Sequence, residues 1–281
     1  MKRFRISAIS YLNTAPLMWD FEHADAGSPA RSLFEIGYTT PSQCAQQLGR
    51  GSADIGIVPA AALGMIPDLA VIPGVAIAAR RAVRSILLVS RVPLQEIRSV
   101  GLDESSLTSV ALTKILFAKW WGGSREYRSM APKIEQMLEE HDAGLVIGDP
   151  ALQIDRTRYV TYDLAEEWIR LTGKPFVFAV WAARRAALQD TPEFDVSRIF
   201  QQSRDHGLAA HNLDQVVRDW SRRLELTEEV VREYLTGSIH YFLDRACLDG
   251  LQLFHQYAEE CAALPAAPAL NFLDAAKAAV V

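Results

Sequence analysis

The chain has 281 residues, enough for one large or two ordinary domains with a sizeable core. Hydrophobic residues at 49% and charged residues at 22% are the balance of a water-soluble globular protein. A net charge of −5, with no basic stripe, no zinc-finger spacing and no bilayer-length apolar run, excludes nucleic acid and membrane as expected partners.

Phe4, Ile6 and Ala8 alternate, so residues 4–9 predict a first strand. That strand runs into Ser10, Tyr11, Asn13 and Thr14, and Pro16 opens a short helical or irregular segment. Small polar groups at the carboxyl end of a strand are where α/β folds place ligands, and Tyr and Asn offer neutral hydrogen bonds. The polar stretch 23–32 predicts a loop, and 33–38 a second strand. Thr40-Pro41-Ser42 then opens a helix that Gly49 and Gly51 end. The hydroxyls of Thr40 and Ser42 at that start suit an anion, or serve simply as caps. Ala53 to Pro59 is almost wholly apolar and predicts a strand buried on both faces, completing a βαβ unit. Ala60 to Leu63 predicts a short helix.

Two further strands follow, 69–79 interrupted by Pro73-Gly74, and 85–90. The pattern then restarts: a strand at 99–102, a hydroxyl-rich turn, and a helix from Ser109 to Trp120, with Trp120 and Trp121 closing it against its lobe. Ser105, Ser106, Thr108 and Ser109 put four hydroxyls in five residues at a helix start, a candidate carboxylate or phosphate cradle or a solvated cap. Residues 125–128 predict an exposed strand, 134–140 a helix and 143–149 a buried strand ending in Gly148-Asp149-Pro150. Asp149 is placed to act as a base, a ligand contact or a helix cap. The stretch 154–163 reads as irregular to extended, 164–171 as a helix ended by Thr172-Gly173, and 176–181 as an apolar strand. Beyond 183 the chain turns helical, with Thr227 capping one helix that Gly237 stops, another at 251–264, and a loose Ala/Pro-rich tail at 265–281.

The two halves echo each other, around 4–58 and 99–147. Strands 85–90 and 176–181 are suited to carry the chain between two lobes and back. This predicts an α/β clamp whose ligand sits in the cleft, facing polar turns from both sides. The first lobe is discontinuous, residues 1–88 and 178–281, with the helical C-terminal part; the second is 89–177. The histidines are scattered, without metal-binding spacing, and there is no phosphate-binding glycine loop or dinucleotide fingerprint, so no metal and no cofactor is expected. Cys44, Cys247 and Cys261 form no CxxC and are odd in number, which suits reduced thiols of a cytosolic chain. Cys44 reads as a core filler. No signal peptide is expected at the N-terminus.

Five segments in order, Arg5-Ile6-x₃-Ser10-Tyr11-Leu12-Asn13-x₂-Pro16, Gly51-x₂-Asp54-Ile55-Gly56-Ile57-Val58-Pro59, Ser106-x-Thr108-Ser109, Ile147-Gly148-Asp149 and Trp168-x₃-Thr172-Gly173-x-Pro175-Phe176-Val177-Phe178-Ala179-Val180-Trp181, resemble the MqnA-type chorismate dehydratases of the futalosine route to menaquinone. The resemblance covers most of residues 4–181. It implies a two-lobed, periplasmic-binding-protein-like type II fold with two crossover strands, in a cytoplasmic enzyme that needs no cofactor. It also implies the reaction, loss of water from chorismate to give 3-[(1-carboxyvinyl)oxy]benzoate. Carried onto this chain, Asn13 orients the substrate near the reacting carbons, and Ser85 binds a carboxylate or the leaving hydroxyl. Ser106, Thr108 and Ser109 grip a carboxylate from the second lobe, Thr40 and Ser42 contact from the first, and Tyr11 and Asp149 are further contacts. Matching motifs supply no histidine or glutamate as base, so the substrate's own enolpyruvyl carboxylate is the candidate. The rival readings are a solute-binding receptor, the sibling 1,4-dihydroxy-6-naphthoate synthase, and the effector domain of a transcription regulator.

Overall fold

The computed structural model describes residues 3–188, 195–265 and 269–273. Among these residues, ten strands form two five-stranded sheets. The first has the order β2 (Phe34–Thr39), β1 (Phe4–Ile9), β3 (Ile55–Pro59), β10 (Phe176–Arg184), β4 (Leu69–Ala79). The second has the order β7 (Glu126–Met130), β6 (Ser99–Asp103), β8 (Ala143–Ile147), β5 (Ile86–Ser90), β9 (Val160–Asp163). The orders are equivalent. In each sheet the first strand lies between its two parallel successors, and the fourth strand in the row arrives from elsewhere in the chain and runs antiparallel to its neighbours. β5 pairs within the second sheet and β10 within the first, which makes these two the crossover strands.

Local chemistry explains most element boundaries. β3 is buried along its whole length because it lies between β1 and β10, and this is why it reads as an unbroken apolar run. Arg5 reaches across to the start of β3, placing Nη2 2.8 Å from Asp54 Oδ1 and Nε 3.0 Å from Oδ2. That pairing accounts for the Arg5 and Asp54 positions structurally. Thr40 and Gln43 form a reciprocal capping box at the head of the Pro41–Gly49 helix. Asp163 caps the Leu164–Thr172 helix, and Gly173 ends it in the left-handed conformation.

Some expectations need correction. Pro73-Gly74 does not break β4; the register against β10 shifts there and the strand continues. The helix expected at Ser109–Trp120 runs from Leu107 to Leu116, followed by a wide π turn at Phe117–Trp121. Trp120 is exposed, and both indole N–H groups of Trp120 and Trp121 donate to Glu167 Oε2, at 2.8 and 2.9 Å. Within the expected loop 23–32, Pro29–Ser32 forms one helical turn. The helix placed at 251–264 spans Arg245–Glu260, capped by Asp244. Of the expected loose tail, 266–268 and 274–281 lie outside the described residues, while residues 271–273 run beside β4, with Val71 N–H donating to Asn271 C=O and Leu273 N–H to Val71 C=O.

The C-terminal helices brace the opening turn of the chain. The Val196–Leu208 helix packs directly on the 3-10 turn Leu12–Met18. Gly207 permits this approach, since a Cβ there would lie 2.0 Å from the Pro16 carbonyl oxygen. Ser203 donates to the Leu17 carbonyl at 2.8 Å and accepts from the Asp20 amide at 3.0 Å. Phe200 fills the space between Phe21, Phe34 and Trp181, with ring centroids 4.7 to 5.7 Å away. Full burial of such a ring stabilises by about 2–3 kcal/mol.

Candidate active site

Between the two sheets lies a small cavity of about 50 Å³. Its polar lining comes from Tyr11 and Asn13, after β1, and from Ser106, Thr108 and Ser109, after β6. Ile9, Ile77, Ile86, Ile147 and Phe178 supply apolar walls, and Gly148 lies at one edge. Five of the nine site residues expected from sequence therefore line one space. Ser85, Thr40, Ser42 and Asp149 do not line it; they adjoin the lining residues Ile86, Pro41 and Gly148 in the chain.

Each polar group has a structural reason for its position. Asn13 sits in the 3-10 turn that follows β1, and Thr14 Oγ1 donates to its Oδ1 at 3.3 Å. The turn is held from the opposite lobe, where Asp149 Oδ1 accepts the Leu12 amide at 2.9 Å. Burial raises the Asp149 carboxyl to about 6, with the Leu12 N–H and the Arg223 charge pulling against it. Gly148, with φ of 67°, leaves room for the Tyr11 ring; a Cβ there would lie 2.7 Å from Tyr11 Cε2. Burial likewise raises the Tyr11 phenol, and a hydrogen bond with the Ser105 side chain opposes it.

The second hydroxyl-rich turn is shaped by Asp103, whose Oδ1 accepts from Ser105 N–H at 2.8 Å and from its Oγ–H at 2.6 Å. Ser106 caps the Leu107–Leu116 helix by accepting from the Ser109 amide at 3.2 Å. Helix geometry leaves the first-turn amides of Leu107 and Thr108 without intrahelical partners, at the positive end of the helix. The Thr108 hydroxyl is engaged on both sides, accepting from Ala61 N–H at 3.1 Å and donating to Phe178 C=O at 3.2 Å. Phe178 is the residue skipped where β10 shifts register against β4. The head of the Pro41–Gly49 helix is occupied by protein groups: Ser42 N–H donates to Ser105 C=O of the facing turn, Gln43 N–H to Thr40 Oγ1 and Cys44 N–H to Thr40 C=O. Thr40 and Ser42 thus serve the cap and the contact between lobes.

Ser85, the residue before β5, is fully buried. Its carbonyl accepts the Gly148 amide at 2.8 Å, and its Oγ lies 2.8 Å from the Tyr234 hydroxyl. Tyr234 and Arg223 are the two neighbours that sequence reading missed. Arg223 donates to Ser10 Oγ at 3.0 Å and bears electrostatically on Asp149. Both come from the helical C-terminal third, where apolar periodicity marks a buried face without saying what it faces. Among the described residues, His240, Asp244 and Cys247 offer three potential metal ligands within 4.8 Å of one another. The Asp244 carboxylate there is already bound by Arg80 and His240 and caps the Arg245–Glu260 helix, and none of the three lines the cavity.

Two equivalent sheets, two crossover strands and a polar cleft between them define a two-lobed α/β clamp of the periplasmic-binding-protein-like kind. A protein of Archaeoglobus fulgidus shares this fold, with a TM-score of 0.71 at 14% identity over 92% of this chain and 97% of that one. So does the alkanesulfonate-binding protein SsuA of Xanthomonas axonopodis pv. citri, solved bound to MOPS, with a TM-score of 0.66 at 16% identity over 94% of this chain and 95% of that one. The chain belongs to the menaquinone biosynthesis family, whose pattern it matches over residues 4–260. It is 28% identical over 259 residues to the chorismate dehydratase of Thermus thermophilus, covering 84% of this chain and 89% of the relative.

Proposed function

We propose that the protein is a chorismate dehydratase acting in the futalosine route to menaquinone, a lyase that removes water from chorismate to give 3-[(1-carboxyvinyl)oxy]benzoate. The observation that carries this reading is the convergence of Tyr11 and Asn13 from one lobe with Ser106 and Ser109 from the other on a single apolar-walled cavity. Apolar walls suit the carbocycle, and neutral donors with a helix start suit its two carboxylates. The family and the Thermus relative support the same reading.

The chemistry asks little beyond orientation. The proton on the ring carbon bearing the enolpyruvyl ether is acidified through the diene and the ring carboxylate. Its removal sends electrons into the ring, and the neighbouring hydroxyl leaves, so proton and hydroxide together make up the water lost. Aromatisation drives the step, and no electron carrier is needed. The substrate's enolpyruvyl carboxylate accepts the proton, Asn13 orients the reacting carbons, and Ser85 meets a carboxylate or the departing hydroxyl. The protein holds the groups in place, donates hydrogen bonds where charge develops and excludes water.

By the same volume measure a water needs roughly 10–15 Å³, so the cavity holds only a few waters, and chorismate gains access when the lobes part. The lobes we assign are residues 1–88 with 178–281, and 89–177, with the divisions running through the crossover strands. A small-molecule substrate, no cofactor and a cytoplasmic setting complete the reading; no described helix is long and apolar enough to cross a membrane.

The test is to incubate the protein with chorismate and follow the aromatic product by absorbance and mass. Stoichiometric conversion is the expected result. Binding without conversion would make the protein a small-anion receptor. Absence of binding would leave the sibling dihydroxynaphthoate synthase or another ligand.

A further inference from the structure

We propose that Tyr234 is a positioning residue that sets the direction of the Ser85 hydroxyl. The inference deepens the functional reading above and rests on it. Tyr234 is 1% exposed and Ser85 0%, and their hydroxyl oxygens lie 2.8 Å apart. The Tyr234 phenol donates its proton to Ser85 Oγ, and Ser85 then has its own proton left to give to a ligand oxygen. The two hydroxyls form a directed pair, Tyr234 to Ser85, in which the first bond polarises the next.

The backbone holds both hydroxyls in place. Arg84, immediately before Ser85, has φ of 67°, a conformation a non-glycine residue adopts only under constraint. The constraint is Asp163, whose carboxylate accepts the amides of Val83 at 3.1 Å and Arg84 at 2.6 Å. The Arg84 side chain pairs with Glu233 at 2.9 Å. Two consecutive residues, 84 and 85, are thus clasped by two consecutive residues, 233 and 234. Tyr234 itself opens a wide π turn, Tyr234–Ser238, a distortion that recurs at functional sites. A core tyrosine needed only for packing would not require its hydroxyl to meet Ser85.

The test is Tyr234→Phe in the full chain, alone and combined with Ser85→Ala, using chorismate as the substrate. In Tyr234→Phe, kcat is expected to fall about tenfold to a hundredfold, the scale of a misplaced group. KM is expected to stay within about threefold, because the loss falls on the chemical step. Adding Tyr234→Phe to Ser85→Ala is expected to cost nothing more, since the phenol acts through Ser85. A wild-type kcat in Tyr234→Phe, or losses that multiply in the double variant, would overturn the proposal. The second measurement needs no turnover: the NMR signal of the buried Tyr234 hydroxyl proton. Ser85→Ala is expected to shift it, and an unchanged signal would overturn the proposal. If wild-type protein fails to convert chorismate, the functional reading falls, and the hydroxyl signal alone upholds or overturns the pairing of Tyr234 with Ser85.

Discussion

The amide of Ser42 donates to the carbonyl of Ser105 at 3.1 Å, across the cleft from one hydroxyl-rich turn to the other. Each turn read in isolation looks like an anion cradle. Together they are the facing edges of a closed clamp, and one of them spends a first-turn donor, the Ser42 amide, on closure. The remaining polar lining of the cavity is Tyr11, Asn13, Ser106 and Ser109.

Asn13→Asp is expected to bind chorismate and to lose turnover. The substitution keeps the shape and the acceptor for Thr14 but replaces the donor N–H₂ with a carboxylate oxygen. Calorimetric binding alongside a product assay checks this; full activity would remove Asn13 from the mechanism.

Thr108→Val is expected to destabilise the fold by about 1–3 kcal/mol, because two buried backbone groups lose their partner. Ala61 N–H and Phe178 C=O both depend on that hydroxyl. Urea unfolding measures the loss, and an unchanged midpoint would mean the two backbone groups find other partners.

Asp149 gives the stability a pH dependence of defined sign. Its carboxyl titrates at about 6 in the folded chain, against an ordinary 3.8. The favourable contribution is full below about 4 and is lost as pH rises through about 6, where ionising the buried group costs more than it does in the unfolded chain. Asp149→Asn removes this term. Relative to wild type, the variant is expected to gain stability between pH 4.5 and pH 7.5, read as the difference between paired denaturation curves.

Gly148→Ala is expected to impair substrate binding and stability together. The added methyl meets the Tyr11 ring at 2.7 Å, on a backbone with positive φ. The strain is about 1–3 kcal/mol. Displacement of Tyr11 should appear as a changed tyrosine fluorescence and a raised KM; an unaltered KM would separate Tyr11 from the substrate.

The three thiols should differ sharply in reactivity. Burial pushes Cys44 to about 11 and Cys247 to about 12, and both side chains are enclosed. Cys261 is half-buried. Maleimide labelling of the folded protein at neutral pH should modify Cys261 first, and all three thiols only after denaturation.

Much of the architecture was legible because apolar alternation and buried runs mark strands directly. The exception among the strands was β9, Val160–Asp163, a short edge strand exposed at one end, whose pattern carries little hydrophobic signal. The cavity residues Tyr11, Asn13, Ser106, Thr108 and Ser109 were legible because they stand at strand ends and helix starts, where polar groups are conspicuous. Ser85 lacks such a setting and was named only through the family resemblance. The beginning of the last long helix was hidden because Asp249-Gly250 reads as a break, although Gly250 lets the helix approach Pro175, whose carbonyl oxygen would lie 2.1 Å from a Cβ there. Tyr234 and Arg223 were out of reach for a different reason. Helical periodicity fixes which face is buried, and only the docked structure shows that the face meets Ser85 and Ser10.

The clasp between residues 84–85 and 233–234 has a consequence for biosynthesis. The ten strands among the described residues lie between Phe4 and Arg184, so a ribosome that has delivered that length has supplied all of them. The partner of Ser85 is still fifty residues away at that moment, and so are the helices that brace the Leu12–Met18 turn. A nascent chain therefore holds its sheet framework before it holds Tyr234 and the helices that brace the opening turn.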